Sequence, residues 1–381
     1  MIKSIVGASS ARGFASDALT RNSSIMHAVV AILGATLVAF VISDAFQTVV
    51  VARHAHRPPL LTRIFYASTW PAFLAGCRCL RTEQLREKFL GVYGPLSLLL
   101  LLNVWACCLI LGFALLQWAV SHRWGGSSSG FLDYFYFSAA TFFTLGSGEP
   151  LNVPSKFLMI LEAGSGFSFL GLVIGYLPVL YQASAERELR ILLLDARAGS
   201  PPTAAQFLQR GGADPAKLGQ RLEEWEKWAL DLLQNHLSYP MLAFYRSQHP
   251  NQSWLAALTV VVDVSAVLMA CAEGELKRQA GFTFAAGRHS LVHTASIFHI
   301  PPRAPRPDRL PGTEFPRLSQ AIASASSALR TDSDTEERLA ELRSMYEPYA
   351  AALGKYFHMV LPAWESGGHA PDNWQISTWN G

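Results

Sequence analysis

Hydrophobic and polar positions divide the chain into an apolar first half and a patterned second half. Residues 25–51, 90–120 and 155–181 are three almost uninterrupted apolar stretches. Each is long enough to cross a bilayer, which takes about 20 residues of helix. A secretory signal would have a much shorter apolar region and a small-residue cleavage site, so the first reads as an uncleaved span. A fourth apolar stretch, residues 131–149, reads FLDYFYFSAATFFTLGSGE and is too short to cross. Residues 1–24 are polar and are expected to form a flexible tail. Residues 64–80 are apolar and aromatic, but they are interrupted by Pro71 and edged with arginine. That pattern leaves two readings, a further short span or an amphipathic helix lying on the cytoplasmic surface of the membrane, and the second is preferred.

From residue 182 onward charges return with helical spacing. Helices are expected over 185–197, 215–237, 253–274, 275–298, 316–329 and 334–362, the last opened by a capping box of Ser333 and Glu336. Residues 301–316 form a proline-rich linker. Strand signals are scarce, so the fold class is all-α. Residues 254–272 are long and apolar enough to span, yet Asp263 stands at their centre. A charge at mid-bilayer costs roughly 2.5–3.5 kcal/mol on insertion scales, so this segment is assigned to the buried centre of a soluble domain. The domains are then a tail (1–24), a span (25–51), a basic linker (52–89), a two-span unit with the short apolar stretch (90–181) and a helical domain (182–381).

Half of the 381 residues are hydrophobic, which suits a membrane part joined to a soluble part. The net charge of +3 is too small to argue for nucleic acid. Its distribution matters more: residues 52–89 carry Arg53, Arg57, Arg63, Arg78, Arg81, Arg86 and Lys88 against Glu83 and Glu87. That excess places the linker in the cytoplasm and the N-terminus outside. Neither flanking span carries an arginine at every third residue, so an arginine-rich voltage sensor is not expected. The five cysteines (Cys77, Cys79, Cys107, Cys108 and Cys271) form no CxxC pair, and neither a disulfide framework nor a zinc site is expected.

The short stretch has the dimensions of a re-entrant helix. Thirteen residues at about 1.5 Å each give roughly 20 Å, against a hydrocarbon core of roughly 30 Å. Its carbonyl end carries the negative pole of the helix dipole, which favours a cation. Turning successive carbonyls toward one axis needs residues that tolerate positive φ, and Gly146 and Gly148 supply two, two positions apart. Thr144 offers a hydroxyl, Leu145 and Ser147 complete the run, and Glu149 would ring the outer mouth with carboxylates. These residues, with Tyr136-Phe137-Ser138-Ala139-Ala140-Thr141 before them, resemble the pore region of the two-transmembrane ion-channel family, bacterial potassium channels among them, over about residues 96–181. That family's filter reads Thr-Val-Gly-Tyr-Gly-Asp. The resemblance implies a tetrameric, carbonyl-lined filter over Thr144, Leu145, Gly146, Ser147 and Gly148, with potassium as the permeant ion and no cofactor. The departure is Ser147, which stands where the family has the tyrosine or phenylalanine that braces the filter; Tyr134 or Tyr136 is the available substitute.

Two intramembrane acids and a set of glycines complete the candidates. Asp44 reads as a carboxylate in an ion path or as an interface acid paired with an arginine such as Arg53; the second is preferred. Glu162 is a functional acid by default, or else bonds to the back of the pore helix. Gly164, Gly166, Gly171 and Gly175 allow close helix packing, and one of them is a possible gating hinge. In the helical half, His289 and His293 lie four apart but no third ligand is evident, so no metal is expected. Glu223, Glu224 and Glu226 read as a solvated face, and residues 238–254 as a joining loop. No glycine-rich dinucleotide fingerprint and no nucleophilic triad is present, so the chain is not read as an enzyme.

The expectation is therefore a multi-pass cell-membrane protein of bacterial inner-membrane type, with its C-terminal domain cytoplasmic. It would be surrounded by lipid, assembled as a homotetramer, bound to no nucleic acid, and would offer its helical domain to an unidentified ligand or protein. Two rivals stand beside the potassium channel. One is a weakly selective cation channel, and the other is a membrane-anchored scaffold with a degenerate pore.

Overall fold

The computed structural model describes residues 3–49, 60–80, 82–123, 130–146, 152–249, 251–326, 329–332, 334–365 and 372–375. Among the described residues there are twelve α-helices, two short 3-10 turns and no strand, in agreement with the all-α expectation. Backbone contacts divide the chain into two units: residues 1–51, 58–71 and 96–179, and residues 52–57, 72–95 and 180–381.

The first unit holds α1 (Lys3–Val49), most of α2 (Leu60–Cys77) and of α3 (Glu83–Arg123), α4 (Phe131–Phe142), and the first half of α5 (Val153–Ala198). The expected flexible tail is corrected: α1 begins at Lys3. Its first turns contain neither the proline nor the clustered glycines that would stop a helix. Stretches Ser24–Val49, Leu85–His122 and Val153–Ala198 are long and apolar enough to cross a membrane. Large apolar side chains stand exposed along α1 (Ile25, Val29, Ile32, Leu33) and α5 (Phe157, Ile160, Phe167, Ile174). That distribution suits hydrocarbon better than water. Gly34 of α1 and Gly112 of α3 let those two backbones meet, as small residues do between membrane helices. A Cβ on Gly34 would stand 2.8 Å from the Gly112 carbonyl oxygen, and one on Gly112 would stand 2.7 Å from Val38 Cγ2.

Asp44 ties the unit together at another point. Its buried carboxylate accepts from Leu61 N (3.0 Å), Thr62 Oγ1 (2.8 Å) and Trp105 Nε1 (3.1 Å). So α1 supplies the N-terminal cap of α2 and anchors α3. The expected partner Arg53 lies outside the described residues; the partners found are neutral donors.

The second unit is built on α8 (Trp254–Cys271), buried along its whole length except at Met269. Around it lie α6 (Ala204–Gly211), α7 (Pro215–Ser238), α9 (Gly274–Ile297), α11 (Thr335–Ser344) and α12 (Glu347–Phe357), with α10 (Phe315–Ala325) packed on α6. Side-chain oxygens of Thr203, Asp214 and Ser253 cap α6, α7 and α8. On α9, Thr283 and Ser290 are seven residues apart and donate to carbonyls seven apart on α7, Leu222 (3.0 Å) and Ala229 (2.7 Å).

Asp263, at the middle of α8, is wholly buried and receives a two-pronged contact from Arg309 (3.1 and 2.6 Å) and the Tyr346 hydroxyl. Such paired, charge-assisted bonds are among the strong ones. Arg309 also meets Glu347 at 2.9 Å and the Pro362 carbonyl at 2.8 Å. The proline-rich segment expected to be only a linker therefore delivers the counter-ion of the central helix.

Other expectations are revised in detail. No separate helix starts near 185, because α5 runs unbroken to Ala198. The single helix expected over 334–362 is two, parted where Pro348 opens the first turn of α12. Ser333, half of the expected capping box, lies outside the described residues. α6 was not anticipated. The rings of His289 and His293 lie 4.1 Å apart, tilted by 51°, and among the described residues no third His, Cys, Asp or Glu joins them.

Residues 238–246 are more than a joining loop. A 3-10 turn at Pro240–Phe244 is buried from Met241 to Phe244. Arg187 of α5 donates to the carbonyls of Leu242 (2.8 Å) and Tyr245 (2.9 Å), and Arg246 bonds Glu87 of α3 (2.7 Å) and the carbonyls of Phe357 (2.6 Å) and His358 (2.8 Å). Tyr93 and Gly94 of α3 pack against Phe244 and Tyr245, so the early turns of α3 and the later turns of α5 both grip this one segment.

Candidate functional site

The site is built around α4, a helix of twelve residues. At about 1.5 Å per residue it is roughly 18 Å long, the half-bilayer element expected. It starts where Gly130 N donates to Asp133 Oδ2 at 2.9 Å. An acid in the first turn complements the helix dipole. Three contacts fix one face. Tyr134 is buried with its ring 5.8 Å from that of His122, in a cluster completed by Trp118 and His27. One turn on, Ser138 Oγ hydrogen-bonds the Ile110 carbonyl of α3 (2.8 Å) and Glu162 Oε1 of α5. After a further turn, the Phe142 carbonyl oxygen lies where a Cβ on Gly166 would stand 2.0 Å away. Glu162 and Gly166 are one turn apart on α5, as Ser138 and Phe142 are on α4, so the two helices meet in register.

α4 ends in a defined cap. Leu145 N donates to Ala140 O (2.8 Å) and Thr144 N to Thr141 O (3.0 Å). These are the paired bonds of a Schellman motif. The position that turns left-handed in such a cap is usually glycine. Here it is Thr144, at φ +57°. Gly146 follows at φ +76°, and Thr144, Leu145 and Gly146 are all exposed. Two positive-φ residues therefore stand two apart, as a carbonyl-turning segment requires, but the first of them is a β-branched residue that composition could not point to. Its one trace in the sequence is its place directly after the helix. Ser147, Gly148 and Glu149 lie outside the described residues.

The remaining candidates separate by environment. Glu162 is wholly buried against α4 rather than open to a pathway within the chain, and its Oε2 has no partner among the described residues. Asp44 is occupied in the α2 cap described above. Gly166 is a close-approach residue, whereas a Cβ on Gly164, Gly171 or Gly175 would meet nothing within 4 Å among the described residues. Tyr134 turns to His122, while Tyr136 is exposed.

Long apolar helices flanking a half-length helix with a turned, exposed exit define the pore-bearing unit of an all-helical membrane protein. Residues 100–182 match the model of a family described as ion channel, consistent with the two-transmembrane pore-loop ion-channel family. The expected resemblance over about 96–181 is thereby borne out, and the match supports a passive ion channel. No curated protein and no solved structure matches the chain.

Proposed function

We propose that this protein is a passive cation channel conducting potassium through a filter formed by Thr144, Leu145, Gly146, Ser147 and Gly148, with Glu149 at its outer mouth. The observation that carries the reading is the pair of left-handed residues, Thr144 and Gly146, at the C-terminal end of α4 inside the ion-channel segment. Two carbonyl-turning positions on one chain make a fraction of a cage, so the working unit is a homotetramer around a shared axis. The protein sits in a cell membrane of bacterial inner-membrane type, surrounded by lipid. Its N-terminus is outside and its C-terminal helices are cytoplasmic, a topology supported by the basic residues of 52–89. No cofactor takes part. The cytoplasmic helices receive a ligand or protein that sets gating, with a hinge at Gly164, Gly171 or Gly175, where α5 is free of close neighbours.

Ser147 favours a second reading, a weakly selective cation channel, because a serine cannot brace the filter as an aromatic ring does. Purified protein reconstituted in a potassium–sodium gradient decides between them. A reversal potential near that of potassium supports the first reading, and one near zero the second. Absence of current together with a monomer or dimer in mild detergent would establish the scaffold instead.

A further inference from the structure

The contacts behind α4 do not close if Glu162 is an ordinary carboxylate. Ser138 has one hydroxyl proton, as any serine does. It faces two acceptors: the Ile110 carbonyl oxygen at 2.8 Å and Glu162 Oε1. Were Glu162 ionised, that proton could satisfy one of them, leaving the other pressed against a lone pair. An ionised Glu162 would also leave a second charged oxygen, Oε2, wholly buried with neither a hydrogen bond nor a cation among the described residues. Proteins avoid that arrangement. Both difficulties vanish if the proton count rises by one. Glu162 then donates to Ser138 Oγ, Ser138 donates to Ile110 O, and every close contact contains a hydrogen.

We infer that Glu162 is held as the neutral carboxylic acid and is a positioning residue, the head of a one-way hydrogen-bond chain from α5 through α4 to α3. The chain fixes the rotation of α4 about its axis. The Schellman cap at Thr144 and the turn at Gly146 follow about two turns after Ser138, so that rotation sets where their carbonyls aim. Gly166 fixes the separation of the same two helices one turn further on. The role assigned to this link rests on the filter reading above; the protonation state does not.

The test uses the full-length protein in liposomes. Gln at 162 keeps the shape and a donor but carries no charge, so Glu162→Gln should conduct with potassium-over-sodium selectivity within about twofold of the wild type. Glu162→Ala and Ser138→Ala break the chain and should each lower that selectivity about tenfold, the size expected for a buried partner left unsatisfied. Infrared difference spectra of wild type against Glu162→Gln should contain one carboxylic-acid C=O stretch at neutral pH, moved in Ser138→Ala. Loss of a carboxylate band instead, or Glu162→Gln as impaired as Glu162→Ala, would overturn the inference. If the wild type carries no current, the filter reading fails, and the infrared band alone still decides the state of Glu162. Should Glu162→Ala not assemble, Ser138→Ala and the spectrum suffice.

Discussion

At the residue scale the structure converts candidate letters into partners. Glu162 and Asp44 stood out in the sequence because acids are rare in apolar runs; what they bond could not be read, since Ser138 is 24 residues from one and Trp105 is 61 from the other. Gly166 was legible only as one of several small residues, and its contact with Phe142 singles it out. Gly166→Ala should displace α4 or α5, costing about 1–3 kcal/mol as overpacking does, whereas Gly171→Ala should be tolerated. Tetramer survival on heating in detergent compares the two. His236 was not singled out at all. It is buried against Trp254, and burial, reinforced by the charge of Arg187, pushes its imidazole down to about 3. A depressed histidine binds its proton only on unfolding. Its contribution is therefore whole above about pH 6.5 and is lost as the pH falls from there toward 3. Thermal stability should weaken between pH 7.5 and 5, by up to about 2 kcal/mol from this residue. His236→Gln should flatten that part of the profile.

At the element scale, long helices with one dominant pattern were legible and their junctions were not. Residues 215–237, 253–274 and 275–298 coincide closely with α7, α8 and α9, because caps and apolar period agree there. The unbroken α5 was missed because charge reappears at Glu186, and a change of surroundings reads in a sequence like a change of element. Proline carries a second lesson. Pro348 ends a helix pattern by starting another, yet Pro71, Pro95 and Pro178 lie inside α2, α3 and α5. Each of these three lies within one residue of a division between the two units. A proline in a helix interior removes one backbone hydrogen bond and permits a bend. Pro178→Ala would restore that bond and stiffen α5, and we expect it to slow opening and closing of single channels, a rate that bilayer recording resolves.

At the scale of the whole molecule, the described residues contain four helices able to cross a membrane by length and composition, and three of them show the exposed apolar sides that hydrocarbon would cover. The fourth, α8, is set apart by Asp263, whose charge made the distinction legible; that its counter-ion would be Arg309 was hidden in a segment that reads as a spacer. Removing one partner of a buried pair strands the other, so Arg309→Met should cost about 3–5 kcal/mol, measured by denaturant unfolding of the full chain.

The same aspartate has a consequence during synthesis. Residues 254–271 leave the ribosome before Arg309 exists, so for that interval the translocon meets an apolar helix of 18 residues with nothing yet to bury it. One carboxylate stands between that helix and lateral release into lipid, at a cost of about 2.5–3.5 kcal/mol. Asp263→Leu would remove the deterrent as well as the ion pair. Its signature would be inverted topology: a reporter fused after residue 381 should move from the face proposed above to be cytoplasmic to the opposite face in a sizeable fraction of molecules. That outcome would give Asp263 two roles, first as a sorting signal on a nascent chain and later as the anchor of a folded core.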